Sequence, residues 1–288
     1  MPTLLRMLAQ SVRRPQDPRL YQIAVLSSLL LYGVLWLDFA ISLLHLAVLL
    51  STVLLTQALC QHWRDHNPFD PRSALISGLS LCLLLRTNAV LLVLLTAVLA
   101  IASKYLLRWR GKHLFNPTNL ALVLMLSSGH VWVSAGQWGS TAFFAFLLAC
   151  CGGLVVYRAS RSDVTYAFLI AHLVLRFGRA WWLGDPLSIP LHQLQNGALV
   201  LFAFFMISDP RTTPDSRLGR LCFAGLVAWL AWYLQFTLYW QNALLWALAG
   251  AALAVPLLNW CWPGRPYVWA SPSQSEAQTA LSAPAERP

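Results

Sequence analysis

Few side chains in this 288-residue chain are equipped for chemistry, because 58% of residues are apolar and only 10% are charged. The stretch FFMISDPRTTPDSR, Phe204 to Arg217, turns from an apolar run into a loop with Asp209, two prolines and two arginines. Pro210 and Pro214 forbid helix continuation, and Asp209 or Thr213 can cap backbone N–H groups of the turn. The alternative use of Asp209 is as a polar group in a binding site. Arg176 and Arg179 fall inside an apolar segment, three residues apart, hence on neighbouring turns of one helix face. A guanidinium within a membrane must reach a partner or water, so these two either snorkel to the interface or bind an anion, with Asp185 orienting one of them. The histidines make no haem or metal set. His45 and His172 lack a second ligand at helical spacing, and His62 and His66 lie in the loop QHWRDHNP. The cysteines show no CxxC spacing and mostly sit in apolar runs, which reads as small core residues. No nucleotide loop, nucleophile triad or nicotinamide fingerprint appears, so any reductant must come from a partner.

The elements that position these groups are those of a polytopic all-α membrane protein. Apolar segments lie at 20–39, 41–60, 74–86, 88–107, 114–128, 140–157, 164–183, 192–208, 218–240 and 243–260. Segments 74–86, 114–128 and 192–208 fall short of the roughly 20 helical residues a bilayer core requires. They contain Gly, Asn or Pro and read as broken or partly spanning helices that need protein or a cavity around them. Trp36, Trp132, Trp181, Trp182, Trp240 and Trp262 stand at segment ends, where indole rings anchor at the interface. With the amino terminus inside, nearly all Lys and Arg fall on the inner side, Arg86 being the outer exception. That distribution predicts an even number of spans, both termini cytoplasmic, and a multi-pass protein of the inner (plasma) membrane. The net charge of +10 is spread over short loops, which argues for topology and against nucleic acid.

Residues 1–19 read as a basic cytoplasmic segment without a cleavable signal peptide, 20–262 as the transmembrane domain, and 263–288 as a disordered cytoplasmic tail. Within the domain, SALISGLSLCLLL and LFNPTNLALVL are echoed by LQNGALVLFAFFM and YWQNALLWALAG. Five segments per half would make about ten helices in two inverted repeats, about 20–128 and 140–260.

The strings GKHLFNPTNLALVL and HQLQNGALVLFAFFMISDPRTTPDSRLGR, with DPRLYQ and SALISG upstream, resemble in order and spacing the membrane subunits of the RnfD/NqrB family. The resemblance covers roughly residues 17–260 and implies the ten-helix inverted-repeat fold and a flavin, riboflavin or FMN, held noncovalently. It places Asn116 at the Asn of the family's FNP turn and Asp209 at the Asp of its TDP turn. His113 stands where relatives often carry Asn. Asn119 and Gly78, in the same strings, and Arg179 complete the candidate cofactor set. An isoalloxazine ring presents carbonyl acceptors and one imide N–H, which a buried amide and a carboxylate suit. The family's SGAT attachment motif is missing. Only Thr141, in GST, stands nearby, so covalent FMN is not expected.

Residues 159–168 and 176–197 look closer to stand-alone relatives associated with enediyne-type natural-product clusters, and Ser162 or Asp163 should cap the seventh helix. In this context the anion at Arg176 or Arg179 would be a flavin phosphate or a quinone oxygen. The leading expectation is therefore a flavin-binding redox protein working between partner proteins and an acceptor such as quinone, embedded in lipid. A transporter or channel that kept the fold without redox chemistry is the alternative, and a docking component is a third.

Overall fold

The computed structural model describes residues 17–36, 41–65, 69–134, 152–153, 156–157, 161–194 and 197–267. Every apolar segment of the sequence coincides with a described helix or helix pair except 140–157, which lies mostly outside the described residues together with Thr141 and the carboxy-terminal tail.

Helix α1 (Pro18–Leu35) starts where the Asp17 carboxylate accepts the Arg19 N–H and Pro18 supplies a preset φ at the first position. Helix α2 (Leu43–Cys60) runs into a π-helical turn at Gln61–Asp65. The short α3 (Arg72–Leu84) and α5 (Pro117–Leu126) are both enclosed: Ser77 to Leu84 and Pro117 to Val123 are buried without a break. Irregular or short helices need such enclosure, since lipid cannot satisfy their backbone ends. Between them runs α4 (Val90–Leu106). A two-stranded hairpin, β2 (Arg108–Trp109) and β3 (Lys112–His113), joins α4 to α5, and β1 (Leu85–Arg86) pairs with β4 (Trp132–Val133). Helix α6 (Ser162–Leu183) ends at Gly184, whose φ of 72° is the left-handed cap glycine accepts without strain.

Beyond it come α7 (Ser188–Leu194), α8 (Gly197–Leu201) continued by a π turn at Phe202–Met206, and α9 (Arg217–Phe236). The last two, α10 (Ala243–Ala252) and α11 (Val255–Cys261), are bent by 49° relative to each other. Among the described residues three helices are long and apolar enough to cross a membrane, or up to five if each bent pair is one span.

The helices pack in two groups: α1 to α5 with one another, and α6 along α9 along α10. They meet where α5 lies on α10, fixed by Asn119 Nδ2 donating to the Leu245 carbonyl at 3.1 Å. The core runs through both groups, with Phe168, Phe202 and Phe223 fully enclosed. The segment-end tryptophans are all exposed, Trp181 and Trp182 most of all at 83% and 82%, as interfacial rings must be.

Two expectations need correction. Neither Ser162 nor Asp163 caps the turn before α6: Arg161 holds the cap position without a side-chain bond, and Ser162 is already helical. Asp163 instead accepts its neighbour Val164 N–H at 2.9 Å and pairs with Arg220 at 2.6 Å, a charge partner from α9 outcompeting a cap. The cysteines are not uniformly core residues either. Cys82 is buried, but Cys222 and Cys261 are exposed on their helices, where a small apolar thiol is compatible with lipid.

Candidate functional site

The tripeptide Asp-Pro-Arg occurs at 17–19, 70–72 and 209–211, and all three copies fold alike. In each, an Asp Oδ1 accepts the backbone N–H of the Arg two residues on, at 3.0, 3.1 and 3.0 Å. Proline between them removes one donor and fixes φ, so the carboxylate closes the turn. The first two turns close on each other: Arg19 reaches Asp70 at 2.8 Å and Arg72 reaches Asp17 at 2.8 Å. Burial would raise the Asp17 and Asp70 carboxyls, but hydrogen bonds and charge from Arg19 and Arg72 outweigh it and hold both below the usual carboxylate range.

The third turn meets different neighbours. Asn116 caps α5 by accepting the Asn119 N–H at 3.0 Å and turns its amide Nδ2 to the Met206 carbonyl at 3.3 Å and to Asp209 Oδ2 at 3.4 Å. Here burial prevails and pushes the Asp209 carboxyl up, despite the Arg211 N–H and the charges of Lys104, Arg211 and Lys112.

The β2–β3 hairpin holds this arrangement together. Arg110 and Gly111 turn it with φ of 49° and 79°, the doubly left-handed geometry that suits tight antiparallel pairing. Gly111 then offers its carbonyl to Arg211 at 3.1 Å, and Lys112 Nζ reaches the Thr213 carbonyl at 2.7 Å and Asp215 at 2.6 Å. His113 Nδ1 lies 3.1 Å from the Lys104 carbonyl, an acceptor, so that nitrogen carries the proton and Nε2 keeps its lone pair. Burial first, then the charges of Lys104, Arg211 and Arg108, push His113 down to about 3, so the ring is neutral.

The hairpin and the 209–211 turn bring six of these residues to one cavity of about 370 Å³: Lys104, His113, Asn116, Met206, Asp209 and Arg211. His113, Asn116 and Asp209 line it, joined by Lys104, Ser73 and Gln57. Ile76, Val156, Phe204, Phe205 and Met206 supply apolar and aromatic wall. Four cations, Arg19, Lys104, Arg108 and Arg211, face two carboxylates, Asp70 and Asp209.

The other sequence candidates lie elsewhere. Gly78 is outside the lining; a Cβ there would sit 2.9 Å from Val53 Cγ2, so its role is close packing of α3 on α2. Asn119 ties α5 to α10. Arg179 pairs loosely with Asp185 at 3.7 Å and lies 4.2 Å from the Phe236 ring centroid, in a groove between α6 and α9. Arg176 is enclosed by acceptors: His172 Nε2 at 2.7 Å, Gln235 Oε1 at 2.7 Å and Gln193 Oε1. Lys104, Ser73 and Gln57 carry no motif in the sequence that marks them for a site. The repeated Asp-Pro-Arg was the signal that could have drawn attention to the turns that carry Asp70 and Asp209.

Enclosed short helices, helices long and apolar enough to span and a polar cavity between them define a helical membrane protein with an internal cavity. Residues 128–267 match the model of the NQR2, RnfD, RnfE family, a range that includes Asp209 but not Asn116. Three curated proteins, each named as the D component of an ion-translocating oxidoreductase complex, are similar. That of Cronobacter sakazakii is 29% identical over 154 residues, 52% of this chain and 42% of its own length. That of Alcanivorax borkumensis is 34% identical over 43% and 36% of the two chains, and that of Escherichia coli O1:K1 31% over 46% and 37%. The alignments thus span only about two fifths of these relatives. Together the matches make about half of the chain similar to the NQR2, RnfD, RnfE family and to proteins named as its D subunits.

Proposed function

We propose that this protein is a membrane electron-transfer component that holds a flavin, riboflavin or FMN, noncovalently in the cavity bordered by Asn116, Asp209 and His113. The observation that carries the proposal is the convergence on one 370 Å³ cavity of groups from α2, α3, α4, α5 and the 209–211 turn. Its volume falls within the range of small-molecule sites, roughly 300–1,000 Å³.

The residues fit the group. Lys104 provides a donor for a ring carbonyl, and an occupant that replaces the long 3.4 Å contact between the Asn116 amide and Asp209 gains a second donor from Asn116 and an acceptor for the imide N–H from Asp209. Gln57 Oε1 is buried without a hydrogen-bond partner, an acceptor in a residue of the cavity wall. Phe204, Phe205 and Ile76 offer the apolar contact that an aromatic ring system needs. When bound, the flavin supplies the electron-accepting ring. The protein orients it, excludes bulk water and, with His113 neutral, keeps an uncharged acceptor nitrogen beside the site.

The fold reading that accompanies this proposal is the ten-helix inverted repeat, supported by the contact of the two Asn-entered short helices α5 and α10. Relatives named as components of an ion-translocating oxidoreductase complex support protein partners for donor and acceptor. Quinone, lipid contacts, the inner membrane and cytoplasmic termini are parts of the same reading.

The test is titration of the detergent-purified protein with riboflavin and FMN, followed by flavin fluorescence. Asn116→Leu and Asp209→Leu should each weaken binding by at least about tenfold, or roughly 1.4 kcal/mol. Variants that fold and bind as the parent does would overturn the assignment. A well-folded parent that binds neither flavin would favour the transport reading.

A further inference from the structure

The cavity holds a cation that no carboxylate among the described residues meets at ion-pairing distance; Asp209 acts on it only from further off. Lys104, in the last turn of α4, is 4% exposed and lines the cavity. Its Nζ donates to the Ser73 carbonyl at 2.8 Å and to Ser73 Oγ at 3.2 Å, both in the first turn of α3. An ammonium has three donors, and a serine supplies dipoles rather than opposite charge. Among the described residues no carboxylate lies within ion-pairing distance of Nζ, whereas Lys112, Arg220 and Arg19 each have an Asp at 2.6 Å. Asp209, on the same cavity, accepts the Arg211 N–H on one oxygen and the Asn116 amide on the other and makes no direct contact with Nζ.

A buried charge of this kind is costly alone and favourable once an opposite charge arrives. The salt-bridge ring at Asp17, Arg19, Asp70 and Arg72 is complete in itself, whereas Lys104 gains a counter-charge at contact distance only from an occupant.

We propose that Lys104 forms an anion subsite of the cavity and that it selects the reduced, anionic form of the bound ring over the oxidised, neutral form. The inference rests on the flavin reading above and adds which redox form the cavity prefers. An external donor delivers two electrons, and one proton is taken from solvent, giving a ring with one negative charge. The second proton that would neutralise it is not taken up, because the Lys104 ammonium already supplies the positive charge. Lys104 thereby makes the ring a better electron acceptor.

The experiment compares dissociation constants of oxidised and dithionite-reduced riboflavin for the full chain in detergent, under argon. Riboflavin is used because it lacks a phosphate, so any preference for charge belongs to the ring. The parent should bind the reduced form at least about tenfold more tightly. Lys104→Met should remove that preference, which for a two-electron couple is a midpoint about 30 mV lower, and Lys104→Arg should keep it. A parent that binds both forms equally overturns the inference without any variant, as does Lys104→Met binding with the parent's ratio. Failure of the parent to bind riboflavin in either form would instead sink the flavin reading itself.

Discussion

The Asp-Pro-Arg turns at 17–19 and 70–72 and the one at 209–211 have the same local geometry and opposite electrostatic fates. The first two face each other and form a closed ring of two carboxylates and two guanidiniums, with side chains of Asp17 and Arg19 only 12% and 11% exposed. The third has no matching turn. Asp209 meets an amide, Arg211 meets a backbone carbonyl, and both line the cavity. The difference teaches that a turn motif fixes where a carboxylate stands relative to its own backbone, while the neighbouring helix decides whether its charge is consumed or remains available.

The comparison breaks most visibly at Asp17. Asp17→Asn should destabilise the protein by about 2 kcal/mol near neutral pH, because Arg19 and Arg72 lose a shared, largely buried partner. Thermal unfolding in detergent measures this. The sign with pH is fixed: Asp17 is held below its ordinary 3.8, so its contribution is complete above that value and fades as pH falls through the folded pKa.

Asp209→Asn should act in the other direction and more weakly. The folded pKa of Asp209 is raised, so the carboxylate costs stability as pH rises above 3.8 and through the folded value. The amide variant should equal or exceed the parent by up to about 1 kcal/mol at neutral pH, with the difference vanishing in acid. An equal loss of stability in both variants would show that the third turn is structural like the first two.

The smallest effect concerns charge reaching beyond the turn. Arg211→Gln should raise the depressed His113 pKa, because Arg211 is among the cations that keep that ring neutral, whereas Arg72→Gln should leave it in place. A pH titration of the labelled histidine by NMR distinguishes the two.

Much of this was legible in the sequence. Apolar periods gave the helices, and the prolines at 210 and 214 marked the loop before α9. Asn116 and Asp209 stand in two motif strings of the sequence, 93 residues apart, and one amide joins them. What was hidden depends on packing. Lys104 reads as an ordinary basic residue at a helix end, and neither its burial nor the Ser73 acceptors on α3 follow from that position. Gly78 belongs to a motif string, yet its missing Cβ serves α2. Arg176 calls for a partner from sequence alone, but Gln193 and Gln235 are 17 and 59 residues away, with no spacing rule to connect them.

The most direct test of the cavity as a flavin site is the visible absorbance spectrum of the detergent-purified protein before and after acid precipitation. The account predicts a flavin spectrum whose chromophore appears entirely in the acid supernatant. Flavin retained in the precipitate would contradict noncovalent binding, and a folded protein that stays colourless after incubation with excess riboflavin and FMN would contradict the site itself.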